Sequence, residues 1–309
     1  MEETMRINFI VPNLNFSGGI KVIKRHCIEM NRLGHDAQMW YPFTQYRGSN
    51  YPFSHCYYTE SQIPNADVVL ATAWETAPVV NRLLKRCGRK FYFIQHYEQW
   101  EYHSGGERKK EIDDTYSLPL THIYVSDFIR KHISMFDVNY IVRNGVDPHS
   151  EVTDKDYSIP RILYPIRQER WKGNETLNAA LEMLKVNYPG VEVKSYGIPP
   201  VSKKTLDELF RWANIFVFPS WIEGFGLPPL EAASYGCAVV STTTNAMPEI
   251  FQNNEMVWCK PYDSEDLYEG MKLLIKSSTE REKLGKTARL KSLDYTPEKS
   301  AKWLEQCLK

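Results

Sequence analysis

Two glutamates, Glu223 and Glu231, flank a short loop, Gly224-Phe225-Gly226. The apolar run 215–218 before the loop predicts a buried strand, and the prolines after it predict the first turn of a helix. Open α/β sheets bind ligands at such strand ends and helix N-termini. A carboxylate at the end of a parallel strand can accept two hydrogen bonds from a ribose diol. Either glutamate taken alone could instead be a favourable charge in the first helical turn.

The pattern Glu-Gly-Phe-Gly-Leu-x-x-x-Glu-Ala is similar to the Glu-x7-Glu signature of family 4 glycosyltransferases, which are retaining enzymes of the GT-B fold. Other motifs occur in the order typical of this family and cover almost the whole chain: Gly18-Gly19, 144–147, Arg167 to Lys172, and Pro248-Glu249. The resemblance implies an α/β protein with two Rossmann-like domains, whose parallel sheets face each other across a cleft.

The length of 309 residues agrees with two domains. We expect an N-terminal acceptor-side domain at 1–150, a C-terminal donor-nucleotide-binding domain at 151–296, and a terminal helix at 297–309 that crosses back to the first domain. The second domain is predicted to be one strand–helix unit shorter than usual in the family. This shortening, the Pro-Pro-Leu-Glu ending of the signature and a His-Tyr-Glu sequence at 96–98 resemble the branch that contains some bacterial rhamnosyltransferases.

The resemblance assigns roles to residues of the second domain. Glu231 would bind the ribose, while Glu223 and the loop amides would meet the sugar and the phosphate. Arg167 and Lys172 have the family's spacing for cations that hold the donor diphosphate, where fixed positive charge offsets the charge gained by the leaving group. The other candidates for donor binding in this domain are Gly224, Phe225, Gly226, Arg170 and Gly197. A charged surface loop is the alternative for the cations.

In the first domain, Gly18 and Gly19 come before a predicted helix and form part of the predicted donor site. The stretch lacks the GxGxxG pattern, so a dinucleotide fingerprint is not met, and a tight turn explains two glycines equally well. His96 follows a predicted strand at 90–95, and the family commonly places a histidine or aspartate here in contact with the donor sugar. A hydrogen-bonded structural histidine is the alternative.

Composition narrows the classes of function. The 38 basic and 38 acidic residues balance, so the sequence lacks the charge typical of a nucleic-acid-binding protein. Six scattered cysteines without a CxxC pair, an acidic start and the lack of a long apolar run predict a cytoplasmic protein. A basic cluster at Lys85, Arg86, Arg89 and Lys90 predicts a solvated helix end, or contact with the inner membrane surface.

The resulting hypothesis is retaining transfer of a sugar from a nucleoside diphosphate sugar to a saccharide or lipid-linked acceptor, in bacterial polysaccharide or glycoconjugate synthesis. Neither a metal nor another cofactor is expected: the Asp-x-Asp triplet at 154–156 lies in a predicted linker, not after a strand. A nucleotide-sugar epimerase of the same architecture and a non-catalytic nucleotide-sugar-binding subunit remain alternatives. The sequence names neither the sugar, the base, the acceptor nor the oligomeric state.

Two stretches lack a clear hydrophobic period. We expect residues 42–66 to be a loop before the strand at 67–72. We expect residues 99–117, which are polar, charged and rich in glycine, to be a mobile loop over the cleft.

Overall fold

The computed structural model describes residues 3–14, 17–43, 53–57, 59–101, 106–133, 139–149, 155–243 and 246–309. The chain divides into two compact units. Unit 1 comprises Met1–Gly145 and Pro297–Lys309, and unit 2 comprises Val146–Thr296. The division falls a few residues before the predicted boundary, and the terminal helix lies in unit 1.

In its described residues, unit 1 contains a seven-stranded parallel sheet of order β3-β2-β1-β4-β5-β6-β7. The strands are β1 (Arg6–Ile10), β2 (Asp36–Pro42), β3 (Ser54–Tyr57), β4 (Val68–Ala71), β5 (Arg89–Ile94), β6 (Thr121–Tyr124) and β7 (Asn139–Ile141). The helices are α1 (Gly18–Arg32), α2 (Ala77–Arg82), α3 (Gly106–Tyr116) and α4 (Asp127–Ile133), with the terminal helix α11 (Pro297–Leu308).

The central strands of unit 1 are apolar because both faces of the sheet are covered. All four residues of β4 are buried, as are the last four of β5, which is typical of strands in parallel sheets. Helix α1 buries Ile20, Ile23, Cys27 and Met30, which recur at helical spacing. Ser17 caps this helix by accepting a hydrogen bond from the Ile20 amide at 3.2 Å.

Two sequence-based expectations for unit 1 are wrong. Residues 106–116 form helix α3, not a mobile loop, because Ile112, Thr115 and Tyr116 recur at helical spacing and are buried. Residues 102–105 of that predicted loop lie outside the described residues. The stretch 42–66, expected to be a loop, contains the edge strand β3, which pairs with β2. Its sequence, Ser-His-Cys-Tyr, does not alternate between apolar and polar residues, so this four-residue strand gives no clear periodicity to recognise.

Helix α11 packs against α1 of unit 1. Its Leu304 is fully buried, and its Glu305 carboxylate lies 3.2 Å from His35 Nε2. The Met5 amide donates to His35 Nδ1 at 3.1 Å. This nitrogen therefore accepts, and the proton of a neutral ring is left on Nε2, where it points to Glu305.

In its described residues, unit 2 contains a five-stranded parallel sheet of order β12-β11-β10-β8-β9. The strands are β8 (Arg161–Pro165), β9 (Glu192–Tyr196), β10 (Ile215–Phe218), β11 (Ala238–Thr242) and β12 (Val257–Cys259). The helices are α5 (Asn174–Asn187), α6 (Lys203–Trp212), α7 (Leu227–Ser234), α8 (Met247–Ile250), α9 (Ser264–Lys276) and α10 (Ser278–Ser292). Every strand pairing in the described parts of both units is parallel, so the predicted α/β class with two parallel sheets is confirmed.

Two cationic side chains hold the first described residues of unit 2 against the ends of its helices. Lys155 Nζ donates to Phe210 O at 2.8 Å, near the C-terminus of α6. The buried Arg281 donates to Ile275 O at 3.0 Å, near the C-terminus of α9, and to Tyr157 O at 2.6 Å. Carbonyls at helix C-termini are natural partners for cations. Residues 155–158 of the predicted linker are therefore packed against unit 2; residues 151–154, with Asp154, lie outside the described residues.

Candidate functional site

The loop after β10 carries a preformed ion pair. Glu223 Oε1 accepts hydrogen bonds from Lys172 Nζ at 2.9 Å and from Ser220 Oγ at 2.8 Å. The Lys172 and Glu223 side chains are only 23% and 13% exposed, so water screens the pair weakly. An ammonium has three donors. Lys172 can therefore bind Glu223 and still donate to a phosphate oxygen of a ligand.

A close approach of two loops creates this pair. Gly173 has a φ of +75°, and a Cβ added there would collide with the Pro219 carbonyl, so glycine is required. The Trp221 amide donates to Trp171 O at 2.7 Å. The indole of Trp221 also donates to Thr176 Oγ1 at 3.0 Å. The loop after β8 is thus fastened to the loop after β10, and Lys172 meets Glu223 although 51 positions separate them.

A second group forms where β8 and β9 end. The guanidinium of Arg167 lies over the ring of Tyr196, 5.4 Å from its centroid, which is a cation–π contact. Arg167 Nη1 also donates to Ile166 O at 3.0 Å. Gly197 has a φ of +116°, and a Cβ there would collide with the Arg167 guanidinium and the Ile166 carbonyl. Gly197 is therefore the residue that leaves space for Arg167.

The hydroxyl of Tyr196 is influenced by the charges of both Arg167 and Glu231. Burial raises the pKa of the Tyr196 hydroxyl, the Glu231 charge raises it further, and the Arg167 charge opposes both. The hydroxyl is buried and has no hydrogen-bond partner among the described residues. Buried polar groups normally have one, so this hydroxyl is a candidate contact for a ligand. We did not predict Tyr196 from the sequence; its place directly before Gly197 at a strand end was the available signal.

Arg170, the third predicted cation, lies apart from these groups. Its Nε is 3.3 Å from Glu175 Oε1, and the two side chains are 72% and 65% exposed. Such exposed ion pairs contribute little to stability. Among the predicted cations, the structure therefore favours Arg167 and Lys172 over Arg170 for holding a diphosphate.

The loop Gly224 to Gly226 is buried and leads into α7. Gly226 has a φ of +89° and stands at the N-cap of α7, where a Cβ would lie 2.9 Å from Met247 Sδ. The ring of Phe225 is buried and its centroid lies 6.4 Å from that of Tyr295. Any contact of Phe225 with a ligand would therefore use its backbone. Two prolines in the first turn of α7 remove amides, so this helix offers fewer anion-binding donors than most.

In unit 1, the predicted residues meet at the carboxyl ends of β1 and β5. Gly18 and Gly19 form the first turn of α1. A Cβ on Gly19 would lie 3.3 Å from the Gln95 side-chain amide, next to His96. The half-buried ring of His96 lies 5.1 Å from that of Trp100, edge to face. The helix start and the histidine turn are thus neighbours in the same unit.

Side chains of the predicted basic cluster donate hydrogen bonds to backbone carbonyls, most of them at helix ends. Lys90 Nζ donates to Asn81 O at 2.7 Å and to Leu83 O at 2.6 Å, which caps α2. Arg89 donates to the last two carbonyls of the chain, at the end of α11. Arg86 donates to Ile63 O at 3.0 Å. These contacts favour the helix-end interpretation of the cluster over a membrane-binding patch.

In the part of the chain that the structure describes, no cluster of three or more His, Cys, Asp or Glu side chains could hold a metal ion. Likewise, no helix in that part is both long enough and apolar enough to cross a membrane. Metal independence stays a prediction.

Comparison with known sequences gives a family match for part of unit 2. Residues 190–291 match the family described as Glycosyl transferases group 1. The serotype-specific mannosyltransferase WbdA of Escherichia coli is 39% identical over 59 residues, which are 19% of this chain and 7% of WbdA. N,N'-diacetylbacillosaminyl-diphospho-undecaprenol alpha-1,3-N-acetylgalactosaminyltransferase of Campylobacter jejuni is 33% identical over 95 residues, 30% of this chain and 25% of the relative. The chain therefore spans only a small part of these relatives' lengths.

Comparison with solved structures covers nearly the whole chain. Sucrose-phosphate synthase from Thermosynechococcus elongatus superimposes with a TM-score of 0.77 at 16% identity, over 98% of both chains. Anabaena Alr3699/HepE in complex with UDP superimposes with a TM-score of 0.76 at 12% identity, over 98% of this chain and 99% of that one. The predicted GT-B fold is confirmed. The family match supports a group 1 glycosyltransferase, while the retaining family 4 and the rhamnosyltransferase branch stay predictions.

Proposed function

We propose that this protein is a metal-independent, retaining glycosyltransferase. It would transfer a sugar from a nucleoside diphosphate sugar to a saccharide or lipid-linked acceptor in bacterial glycan synthesis. The Lys172–Glu223 ion pair carries the proposal, because it lies at a parallel-strand end of unit 2 and Glu223 lies within the residues that match the group 1 family. Such strand ends are where α/β sheets bind nucleotides.

The donor would lie along the strand ends of unit 2. Glu231 would accept hydrogen bonds from the ribose hydroxyls, and the Tyr196 hydroxyl would complete that contact. Arg167 and Lys172 would bind the diphosphate. Because Glu223 orients Lys172 before the donor arrives, less side-chain entropy is lost on binding.

The chemical step breaks the bond between the anomeric carbon and the diphosphate oxygen. Negative charge develops on the leaving diphosphate, and the fixed charges of Arg167 and Lys172 stabilise it. The acceptor hydroxyl forms the new bond on the same face, and its proton passes to the departing phosphate. In this scheme His96 of unit 1 orients the sugar and no side chain attacks it.

The similar proteins indicate which donor and which acceptor to test first. HepE has been solved with UDP and with UDP-glucose, so uridine diphosphate sugars are the first donors to test. The Campylobacter relative is named for a diphospho-undecaprenol substrate. A polyprenyl-diphosphate-linked sugar is accordingly the first acceptor to test.

A thermal-shift screen of nucleoside diphosphate sugars tests donor binding, since a ligand at 100 times its dissociation constant adds about 2.7 kcal/mol to stability. The best donor is then assayed for transfer to lipid-linked and free saccharides, with the anomeric configuration of the product read by NMR. We expect retention, and activity that survives EDTA. Loss of activity in EDTA with rescue by manganese would contradict the proposal. Epimerisation without an acceptor, or binding without transfer, would select the epimerase or the binding subunit instead.

A further inference from the structure

Glu98 stands two residues after His96 and lies at the centre of a hydrogen-bond network. Its Oε1 accepts from the Trp74 amide at 3.1 Å, in the loop after β4. Its Oε2 accepts from the Tyr92 hydroxyl of β5 at 3.1 Å and from the Tyr116 hydroxyl of α3 at 3.3 Å. Three elements of unit 1 thus bind one carboxylate.

Tyr116 binds Glu98 twice. Its hydroxyl accepts a hydrogen bond from the Glu98 amide at 3.2 Å and donates one to the Glu98 carboxylate. Burial, followed by the Glu98 charge, raises the pKa of both Tyr92 and Tyr116 above their ordinary value. Both hydroxyls therefore keep their protons and act as donors. Hydrogen bonds to an ionised carboxylate are about twice as strong as neutral ones.

The network holds the turn that carries His96. Glu98 fastens the turn to the loop after β4, to β5 and to α3. From the other side, Trp100 packs against the His96 ring at 5.1 Å and against the His132 ring of α4 at 5.2 Å. The turn is therefore fixed at both its backbone and its aromatic side chains.

We propose that Glu98 is a positioning residue, which sets the orientation of His96 through its bonds to Tyr92, Tyr116 and the Trp74 amide. This inference rests on the proposed function, in which His96 orients the donor sugar. A buried polar network that merely stabilises unit 1 is the competing explanation.

The first experiment measures whether the network holds the turn. Tyr116→Phe removes one hydroxyl and both of its bonds to Glu98. Tyr124→Phe is the matched control: this buried tyrosine of β6 loses its 2.8 Å bond to His122 Nδ1. Hydrogen exchange of the full chain should rise about tenfold or more at residues 95–101 in Tyr116→Phe, because a bond to a charged group is lost. It should stay unchanged there in Tyr124→Phe. Unchanged exchange in both variants would overturn the proposal.

The second experiment measures whether the network acts through His96. His96→Ala alone should lower kcat strongly, with a melting temperature near that of the parent. Tyr116→Phe should lower kcat about tenfold in the parent protein but by less than about twofold in His96→Ala, because coupled residues are non-additive. The KM for the donor should change little. Glu98→Gln keeps only one of the two acceptor oxygens, so it should recover only part of the activity that Glu98→Ala loses.

The outcomes separate the explanations. If Tyr116→Phe lowers kcat equally with and without His96, or raises exchange while leaving kcat unchanged, Glu98 is structural and the proposal fails. If His96→Ala has native kcat, the role of His96 and the proposal fail together. UDP binding, measured by calorimetry in the parent protein, tests the donor site of unit 2 independently. A lack of nucleotide binding would overturn the proposed function while the exchange experiment still decides whether Glu98 holds the turn.

Discussion

The loops of unit 2 that carry the proposed donor site and the turn of unit 1 that carries His96 are held by different forces. In unit 2, an ion pair and Gly173, which has a left-handed φ, hold two loops in close approach. In unit 1, tyrosine hydroxyls bind a carboxylate, and aromatic rings pack edge to face around the turn.

The difference indicates a division of work. Fixed charges that are already oriented suit an anionic ligand, since little reorganisation is needed when it binds. Aromatic packing and a satisfied polar network instead hold a side chain in one orientation, and the Glu98 carboxylate of that network already binds the Tyr92 and Tyr116 hydroxyls. We therefore expect substitutions in unit 2 to change nucleotide binding and the stabilisation of the leaving diphosphate, and substitutions around His96 to change the transfer rate without changing nucleotide binding. The predictions below test this division, beginning with the largest expected effect.

Lys172→Ala should lower turnover by about 100-fold or more, the usual loss when a donor to the transition state is removed. The effect should be large because the variant also leaves Glu223 as an unpaired charge beside the diphosphate. Steady-state kinetics with the best donor measures it. Lys185→Ala is the matched control, as its pair with Glu182 is exposed. Near-native turnover in both Lys172→Ala and Arg167→Ala would show that the diphosphate binds elsewhere.

Arg167→Ala should also lower turnover by about 100-fold, whereas Arg170→Ala should change it by less than about threefold, because an exposed pair contributes little. The two arginines lie three positions apart, so the comparison separates a half-buried cation from an exposed one. A greater loss in Arg170→Ala would reverse the assignment of the two cations.

Glu231→Ala should weaken binding of both the free nucleoside diphosphate and the sugar donor, by about tenfold for a lost charged hydrogen bond. Glu223→Ala should weaken mostly the sugar donor. Isothermal titration calorimetry with both ligands measures the difference. Unchanged nucleotide affinity in Glu231→Ala would show that Glu231 does not bind the nucleotide. The alternative of a favourable charge in a first helical turn is wrong, because Glu231 is the fifth residue of α7 and lies beyond that turn.

Unit 1 should lose stability in mild acid. Burial lowers the pKa of both His26 and His122 to about 4, from an ordinary value of 6.5. Between pH 6.5 and 4, the unfolded chain binds protons that the folded unit does not, so stability falls as pH falls, by at most about 1.4 kcal/mol per pH unit for each histidine. His26→Gln and His122→Gln should flatten the dependence.

Hydrogen exchange at pH values from 7 to 4.5, corrected for the intrinsic pH dependence of exchange, can report unit 1 separately from unit 2. We expect the core of unit 1 to lose protection first, since both shifted histidines lie in that unit, His26 in α1 and His122 in β6. An equal loss in the strands of unit 2, or a slope unchanged in both variants, would contradict this prediction.

The sequence determined the α/β class, most strands and helices, and the candidates for the site. Apolar runs such as 215–218 predict buried strands, and the glutamates around Gly224 and Gly226 mark a strand end from local pattern alone. The sequence failed where local pattern was weak or misleading. The polar composition of 99–117 concealed helix α3, whose buried face consists of three residues.

Only the tertiary structure decided which candidates meet. Lys172 and Glu223 are 51 positions apart and pair because Gly173 allows the two loops to touch. Arg170 has the same charge but pairs with Glu175 at the surface. Tyr196 lay in no motif, and Glu98 was only the last residue of the His-Tyr-Glu sequence. The two became candidates through a buried hydroxyl and a three-element network. Residue type and spacing set which chemistry a chain can offer, whereas loop packing sets which side chains lie within hydrogen-bond distance. That packing depends on contacts between segments distant in sequence, which no local pattern contains.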